Sequence, residues 1–189
     1  MCGIAGIVTW RNGAPPLAGE VERMTASLRH RGPDDLGLWC DDEAGVGLGQ
    51  RRLAIIDLSA QGHQPMLSAS GRYVISYNGE IYNFAQLRAD LEAAGRAPAW
   101  RGHSDTEVLL ACIEAWGIEQ ALVSTVGMFA ISLWDRETRT LTLARDRLGE
   151  KPLYYGEVAG RMLFGSELKA LTAVARDRLQ LDKIGRAHV

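Results

Sequence analysis

Hydrophobic and polar positions along the chain follow two periods, one of two residues and one of about three and a half. Residues 3–10 form an apolar, β-branched run that ends at the Gly/Pro cluster 11–16, which predicts a strand and a turn. Within residues 20–28, Val21, Met24 and Leu28 recur at i, i+3 and i+7, the stripe of an amphipathic helix, and Gly32-Pro33 is its expected stop. Residues 36–40 and 44–53 flank Asp41-Asp42-Glu43 and predict a hairpin. Residues 57–70 are expected to be irregular, too polar for a core element. Residues 72–78 predict a strand that ends at the turn dipeptide Asn78-Gly79.

Asn83 is the expected cap of a helix with Gln86 three residues on, a Phe84-Leu87-Leu91 stripe and Gly95 as its close. Ser104-Asp-Thr-Glu107 has the S-x-x-E form of a capping box, opening a helix that carries Val108, Ala111, Cys112, Ala115 and Trp116 on one face and stops at Gly117. A short helix over 118–123 follows, then a hairpin of 127–134 and 140–145, two short strands at 153–155 and 161–164, and a last helix beginning at 166. Hairpins with helices grouped between them, without strict strand–helix alternation, point to an α+β fold in which helices cover antiparallel sheets.

Composition sets outer bounds on this reading. The 189 residues are 47% hydrophobic and 23% charged, enough for one compact domain with a real core. The net charge of −2 gives no basic field for nucleic acid or an anionic membrane surface. A charge-free stretch such as 121–134 is 14 residues long, short of a spanning helix. The three cysteines, Cys2, Cys40 and Cys112, lack C-x-x-C spacing and fit a reducing, cytoplasmic compartment better than a disulfide framework. The first residues have no basic segment leading into an apolar one, so a secretory signal is not expected. Residues 184–189 carry no pattern and are expected to be a non-native tail, which leaves 1–183 as the domain.

Cys2 is the sharpest candidate for chemistry. Once Met1 is removed, it combines a thiol with a free α-amine whose ordinary pKa of about 7.7–8.0 lets it take the thiol proton near neutral pH. Asn78 and Gly79 supply a side-chain amide and a backbone N–H of the kind that holds an oxyanion, although Asn-Gly alone is more often a turn. Arg52 could fork a carboxylate, or simply pair at the surface. Asp105, in a first helical turn, is explained fully by the helix dipole without a ligand. The four histidines are scattered with no metal-ligand spacing, and neither a P-loop nor a Ser-Gly-Gly-x-Asp-Ser loop is present, so neither a metal site nor an ATP site is expected.

Together the motifs resemble one family. Met1-Cys-Gly-Ile-Ala-Gly6, Arg29-His-Arg-Gly-Pro-Asp34, Arg52-Leu-Ala-Ile-Ile-Asp57, Asn78-Gly-Glu-Ile-Tyr-Asn83, Ser104-Asp-Thr-Glu107, Arg145-Asp-Arg-Leu-Gly149 with Lys151-Pro-Leu-Tyr-Tyr155, and Ser166-Glu-Leu-Lys169 occur in order from Cys2 to about Leu171. They are similar to the N-terminal glutaminase domain of glutamine-hydrolysing asparagine synthetases, a class II glutamine amidotransferase domain of the N-terminal-nucleophile hydrolases. The resemblance implies a four-layer αββα sandwich. It implies Cys2 as nucleophile toward the side-chain amide of L-glutamine, Asn78 and Gly79 as the oxyanion hole, Arg52 on the substrate carboxylate, and Glu80 with Asp105 on its ammonium. Backbone of 53–56 would line the pocket, and Arg31 and Asn83 would shape the site. No cofactor is implied for this domain. ATP and magnesium belong with a C-terminal synthetase domain in cis, and a homodimer is compatible with the family. Related class II domains with another ammonia acceptor, and a non-catalytic glutamine sensor, are the alternatives.

Overall fold

The computed structural model describes residues 1–10, 16–53 and 60–175. Its first sheet orders five strands as β2 (Asp35–Asp41), β3 (Val46–Arg52), β1 (Gly3–Thr9), β9 (Arg161–Gly165) and β8 (Tyr154–Glu157). The second orders β4 (Met66–Leu67), β5 (Tyr73–Ile81), β6 (Gly127–Asp135) and β7 (Thr140–Arg145). Every pairing is antiparallel. Helices α1 (Ala18–Ala26) and α5 (Leu168–Ala175) cover the outer face of the first sheet, and α3 (Asp105–Trp116) packs on β5 of the second with α2 (Phe84–Ala93) and α4 (Ile118–Ser124) against it. β1 and β3 contact β5, so the layers run helix, sheet, sheet, helix, the αββα sandwich that the resemblance implied.

Three apolar clusters fill the three gaps between layers. Ala5, Ile7, Val21, Met24, Leu163 and Leu171 lie between the first sheet and its helices. Ile75, Ile81, Leu109, Leu110, Ile131 and Leu133 lie between the second sheet and its helices. Val8, Val46, Leu48, Val74, Trp134 and Phe164 lie between the sheets. Each fully buried Leu or Ile contributes roughly 1.5–3 kcal/mol. In β3 the period-two pattern carries glycine outward and bulk inward. A Cβ at Gly47 would stand 2.6 Å from Val21, and one at Gly49 would collide with Thr25, so α1 sits close only because those side chains are missing.

Several expectations from the sequence need correction. The polar stretch before residue 70 contributes to the core: Met66 and Leu67 pair with Ile75 and Val74, while Gln64, Met66 and Ser68 are buried. Its polar side chains are buried because they complete the sheet's hydrogen bonds, as Gln64 Oε1 does by accepting from Tyr77 N at 2.7 Å. The strand expected to stop at Asn78-Gly79 runs on to Ile81, with Asn78, Gly79 and Glu80 opposite Ala130, Phe129 and Met128. Asn83 precedes α2 without capping it by its side chain; its amide donates to Ser124 O (3.0 Å) and accepts from Val126 N (2.9 Å), tying α2 to the end of α4. Helix α1 ends before Leu28, where Thr25 and Ser27 hydroxyls turn back to Val21 O and Met24 O, yet Leu28 stays buried. Gly95 and Gly117 follow α2 and α3 with positive φ (64° and 82°), as expected. Residues 184–189 and the backbone of 54–56 lie outside the described residues.

Candidate active site

A cavity of about 210 Å³ opens at one end of the space between the sheets, lined by Cys2, Arg52, Asn78, Gly79, Glu80 and Asp105 but not by Arg31 or Asn83, the two residues expected to shape the site. Strand alternation brings Cys2, Arg52, Asn78 and Glu80 together. On β1 the inward positions descend from Val8 through Gly6 and Ile4 to Cys2, on β3 they run from Val46 and Leu48 to Gln50 and Arg52, and on β5 from Val74 and Ser76 to Asn78 and Glu80.

Cys2 sits just ahead of β1. Its Sγ accepts from Leu53 N at 3.4 Å and faces Leu53 O at 3.7 Å, and its carbonyl accepts from Arg31 Nε at 2.9 Å. Arg31 is therefore behind the nucleophile and does not line the cavity. The Arg52 guanidinium lies against Gly62, where a Cβ would overlap it.

Asn78 is 1% exposed, and among the described residues its Nδ2 has no partner. The Gly79 N–H is placed by the strand's own register. Tyr77 N donates to Gln64 Oε1 and Ile81 N to Asp105 Oδ2 (2.9 Å), so the odd-numbered N–H groups of this part of β5 point away from β6. Gly79 stands between those two on the same edge, with its N–H facing the cavity side. On its other side the strands press together: a Cβ at Gly79 would lie 2.8 Å from Phe129 Cα. The sequence reading ended the strand at this pair, whereas Asn-Gly here is extended backbone within a ladder.

Asp105 does more than complement a helix dipole. It is buried at the first position of α3 and accepts from the Tyr77 hydroxyl (2.7 Å) as well as from Ile81 N, which joins α3 to β5. Burial raises its pKa, with the nearby Glu80 adding to the rise, against the lowering effect of those donors and of Thr106 N–H. Burial, then the Asp105 charge, raises the Tyr77 pKa well above its ordinary value. Only half of the expected capping box forms: Ser104 Oγ accepts from Glu107 N (3.3 Å), while the Glu107 carboxylate accepts from Arg101 N and Gly102 N.

The sequence reading missed Gln50, Gln64, Tyr77, Thr106, Met128 and Lys151, which also line the cavity. For Gln50 the signal was present, two residues before Arg52 and so on the same face of β3. Gln64 gave none, because its position depends on a long-range contact with β5. Lys151 is buried at 7% exposure at the end of a loop fixed by Asp146, whose carboxylate accepts from Phe129 N, Glu150 N and Lys151 N. Burial would raise the Asp146 pKa, but these backbone donors outweigh it and the net shift is down. Among the described residues no group of three His, Cys, Asp or Glu side chains could hold a metal ion, and no helix is long and apolar enough to cross a membrane.

Comparison with known proteins agrees with this geometry. A family model described as "Glutamine amidotransferase domain" matches residues 1–188. Asparagine synthetase [glutamine-hydrolyzing] 3 of Bacillus subtilis is 39% identical over all of this chain and 30% of its own length, and asparagine synthetase [glutamine-hydrolyzing] 1 of the same organism is 40% identical over 97% of this chain and 28% of its own. Amidase chry2 of Gibberella zeae is 36% identical over 92% of this chain and 26% of its own length. The chain thus spans less than a third of the length of each of these three relatives. Among solved structures, glutamine phosphoribosylpyrophosphate amidotransferase of Bacillus subtilis shares the fold with a TM-score of 0.75 at 23% identity, covering 92% of this chain and 44% of that one. With its motifs in order, its αββα fold and its Cys2-centred cavity, this chain belongs to the glutamine amidotransferase domain family, homologous to the N-terminal domains of glutamine-hydrolysing asparagine synthetases.

Proposed function

We propose that the chain hydrolyses L-glutamine to glutamate and ammonia through a Cys2 thioester. The observation that carries this reading is the convergence on one cavity of a thiol, a buried Asn78 amide with no partner among the described residues, and a charge set of one guanidinium and two carboxylates. A free amino acid needs that charge set at its α-carbon, and a side-chain amide needs the thiol and amide donors at the other end.

Removal of Met1, which lines the cavity, frees the Cys2 α-amine. That amine takes the thiol proton as Sγ attacks the side-chain amide carbon of glutamine. Asn78 Nδ2 and Gly79 N–H hold the resulting oxyanion. Collapse breaks the C–N bond, the α-ammonium returns the proton, and ammonia leaves. Water, deprotonated by the same amine, then attacks the thioester and releases glutamate and the thiol. Arg52 holds the α-carboxylate, and Asp105 with Glu80 the α-ammonium. No cofactor enters these steps.

In a longer cytoplasmic protein the ammonia would pass to a C-terminal synthetase domain in cis that uses ATP and magnesium to amidate aspartate. The names of the relatives support this acceptor. The purified chain should lack Met1 by intact mass and release glutamate and ammonia in equal amounts from glutamine. Glutamate release that persists in Cys2→Ala would overturn the reading.

A further inference from the structure

Two motifs of the sequence, Arg29-His-Arg-Gly-Pro-Asp34 and Ser166-Glu-Leu-Lys169, contribute nothing to the cavity lining. They meet behind the nucleophile. β1 begins its pairing at Gly3 with Arg51 on one side, but on the other it pairs with β9 only from Ala5, opposite Gly165. Residues 2–4 would therefore lack support on the β9 side. The next residue after β9 supplies it: Ile4 N donates to Ser166 Oγ at 3.0 Å, and Ser166 N donates to Ile4 O at 2.8 Å. One residue further, the Glu167 carboxylate accepts from Arg31 Nη1 at 3.0 Å, and Arg31 Nε donates to Cys2 O at 2.9 Å.

We propose that Glu167 is a positioning residue for Cys2, its carboxylate holding the Arg31 guanidinium in the orientation that places Nε on the Cys2 carbonyl. The inference rests on the reading of Cys2 as nucleophile. Fixing that carbonyl restrains ψ of Cys2, and with it the direction in which Cα presents both the α-amine and the Cβ–Sγ arm to the cavity. A terminal residue otherwise frays, and the 3.4 Å contact from Leu53 N to Sγ is a weak restraint. Glu167 is well suited to the task. His30 Nε2 (2.9 Å) and Lys169 Nζ (3.1 Å) also bind its carboxylate. Burial works against ionisation there, but Arg31, His30 and Lys169 together hold its pKa at about 2, so the anchor is charged throughout the working range of pH.

The test is a double-mutant cycle in the full chain. Glu167→Gln should lower kcat for glutamine hydrolysis, counted per folded molecule, about 10–100-fold, the range for residues that orient a reacting group through another, with KM within about twofold. Arg31→Lys, which lacks the Nε donor, should do the same, and Glu167→Gln should cost nothing more in that background. Should Glu167→Gln fail to fold, Glu167→Asp takes its place in the cycle, keeping the charge but drawing it back by one methylene. Unchanged kcat, additive losses in the double variant, or a kcat loss matched by the loss of folded protein would each overturn the proposal. The rate of Cys2 carboxymethylation by iodoacetate, located by peptide mass, is read in parallel. If the wild-type chain shows no Cys2-dependent turnover, the glutaminase reading fails on its own, and alkylation decides the positioning role: a several-fold change in Glu167→Gln supports it, equal rates overturn it.

Discussion

At one end of the space between the sheets, Val8, Val46, Leu48, Val74, Trp134 and Phe164 close into a core; at the other, Cys2, Gln50, Arg52, Asn78 and Glu80 line a cavity. The two halves use the same strands and the same inward-facing positions. Only the chemistry of the side chains changes along β1, β3 and β5, apolar to polar on each. The apolar half spaces the sheets, and that spacing sets how far Sγ on one sheet stands from the Asn78 and Gly79 donors on the other. The lesson is that the site is an unfilled continuation of the core, so its precision depends on packing at the far end.

Substitutions can separate the halves. The largest effect is expected from Cys2→Ala, on the order of 10⁶-fold in glutamate release, with the thermal midpoint unchanged because the side chain supports no packing. A stopped ammonia assay and a melting curve check both parts. Asn78→Ala should lower kcat about 10²–10³-fold, the usual cost of one oxyanion donor, with KM little changed. It leaves no partner group stranded, since Nδ2 has none among the described residues, so its effect on stability should be small. Phe164→Ala in the apolar half should reverse the pattern. The loss of stability is about 3–5 kcal/mol by urea titration, with turnover per folded molecule reduced far less than in Asn78→Ala. Arg52→Lys should act in the polar half again, raising KM about 10-fold through loss of the bidentate fork and leaving kcat nearly intact.

The sequence carried more of the polar half than of its support. Of the residues lining the cavity, Cys2, Arg52, Asn78 and Gly79 were legible as candidates from their chemistry, while Glu80 and Asp105 were reached only through the resemblance of the motifs to a family. The helix stripes and the 127–145 hairpin were legible from periodicity. Legibility failed where a local signal met a long-range partner. Asn78-Gly79 reads as a turn until β6 is seen to continue opposite it, and Gln64 reads as loop polarity until its amide is found on the β5 backbone. Asn83 fails for the same reason: an Asn ahead of an apolar stripe has the local form of a cap, and only the position of α4 shows where its amide goes. The Ser166-Glu167 corner lies 162 residues from the strand it supports, and no window along the chain connects the two.

The smallest expected effect compares two carboxylates, one near each end of β5. Arg72, at the apolar end, binds Asp135 through Nε (3.0 Å) and Nη2 (2.6 Å) and holds its pKa at about 2. Asp105, at the cavity end, is shifted upward by burial. The folded-state value of Asp135 is depressed, so its contribution to stability is present above the ordinary carboxylate range, near 4, and is lost as pH falls toward 2. For Asp105 the folded value is raised, so its contribution is complete below the ordinary range and is lost as pH rises through the raised value. Melting temperatures between pH 7 and pH 2 should show the two in sequence: Asp105→Asn flattens the change above pH 4, and Asp135→Asn flattens the fall below it. Glutamine should act on the first alone. Its α-ammonium would stabilise the ionised Asp105 and remove part of the upper dependence, while the Asp135 limb stays as it is. Equal effects of glutamine on both limbs would mean that the two ends of the inter-sheet layer are not independent.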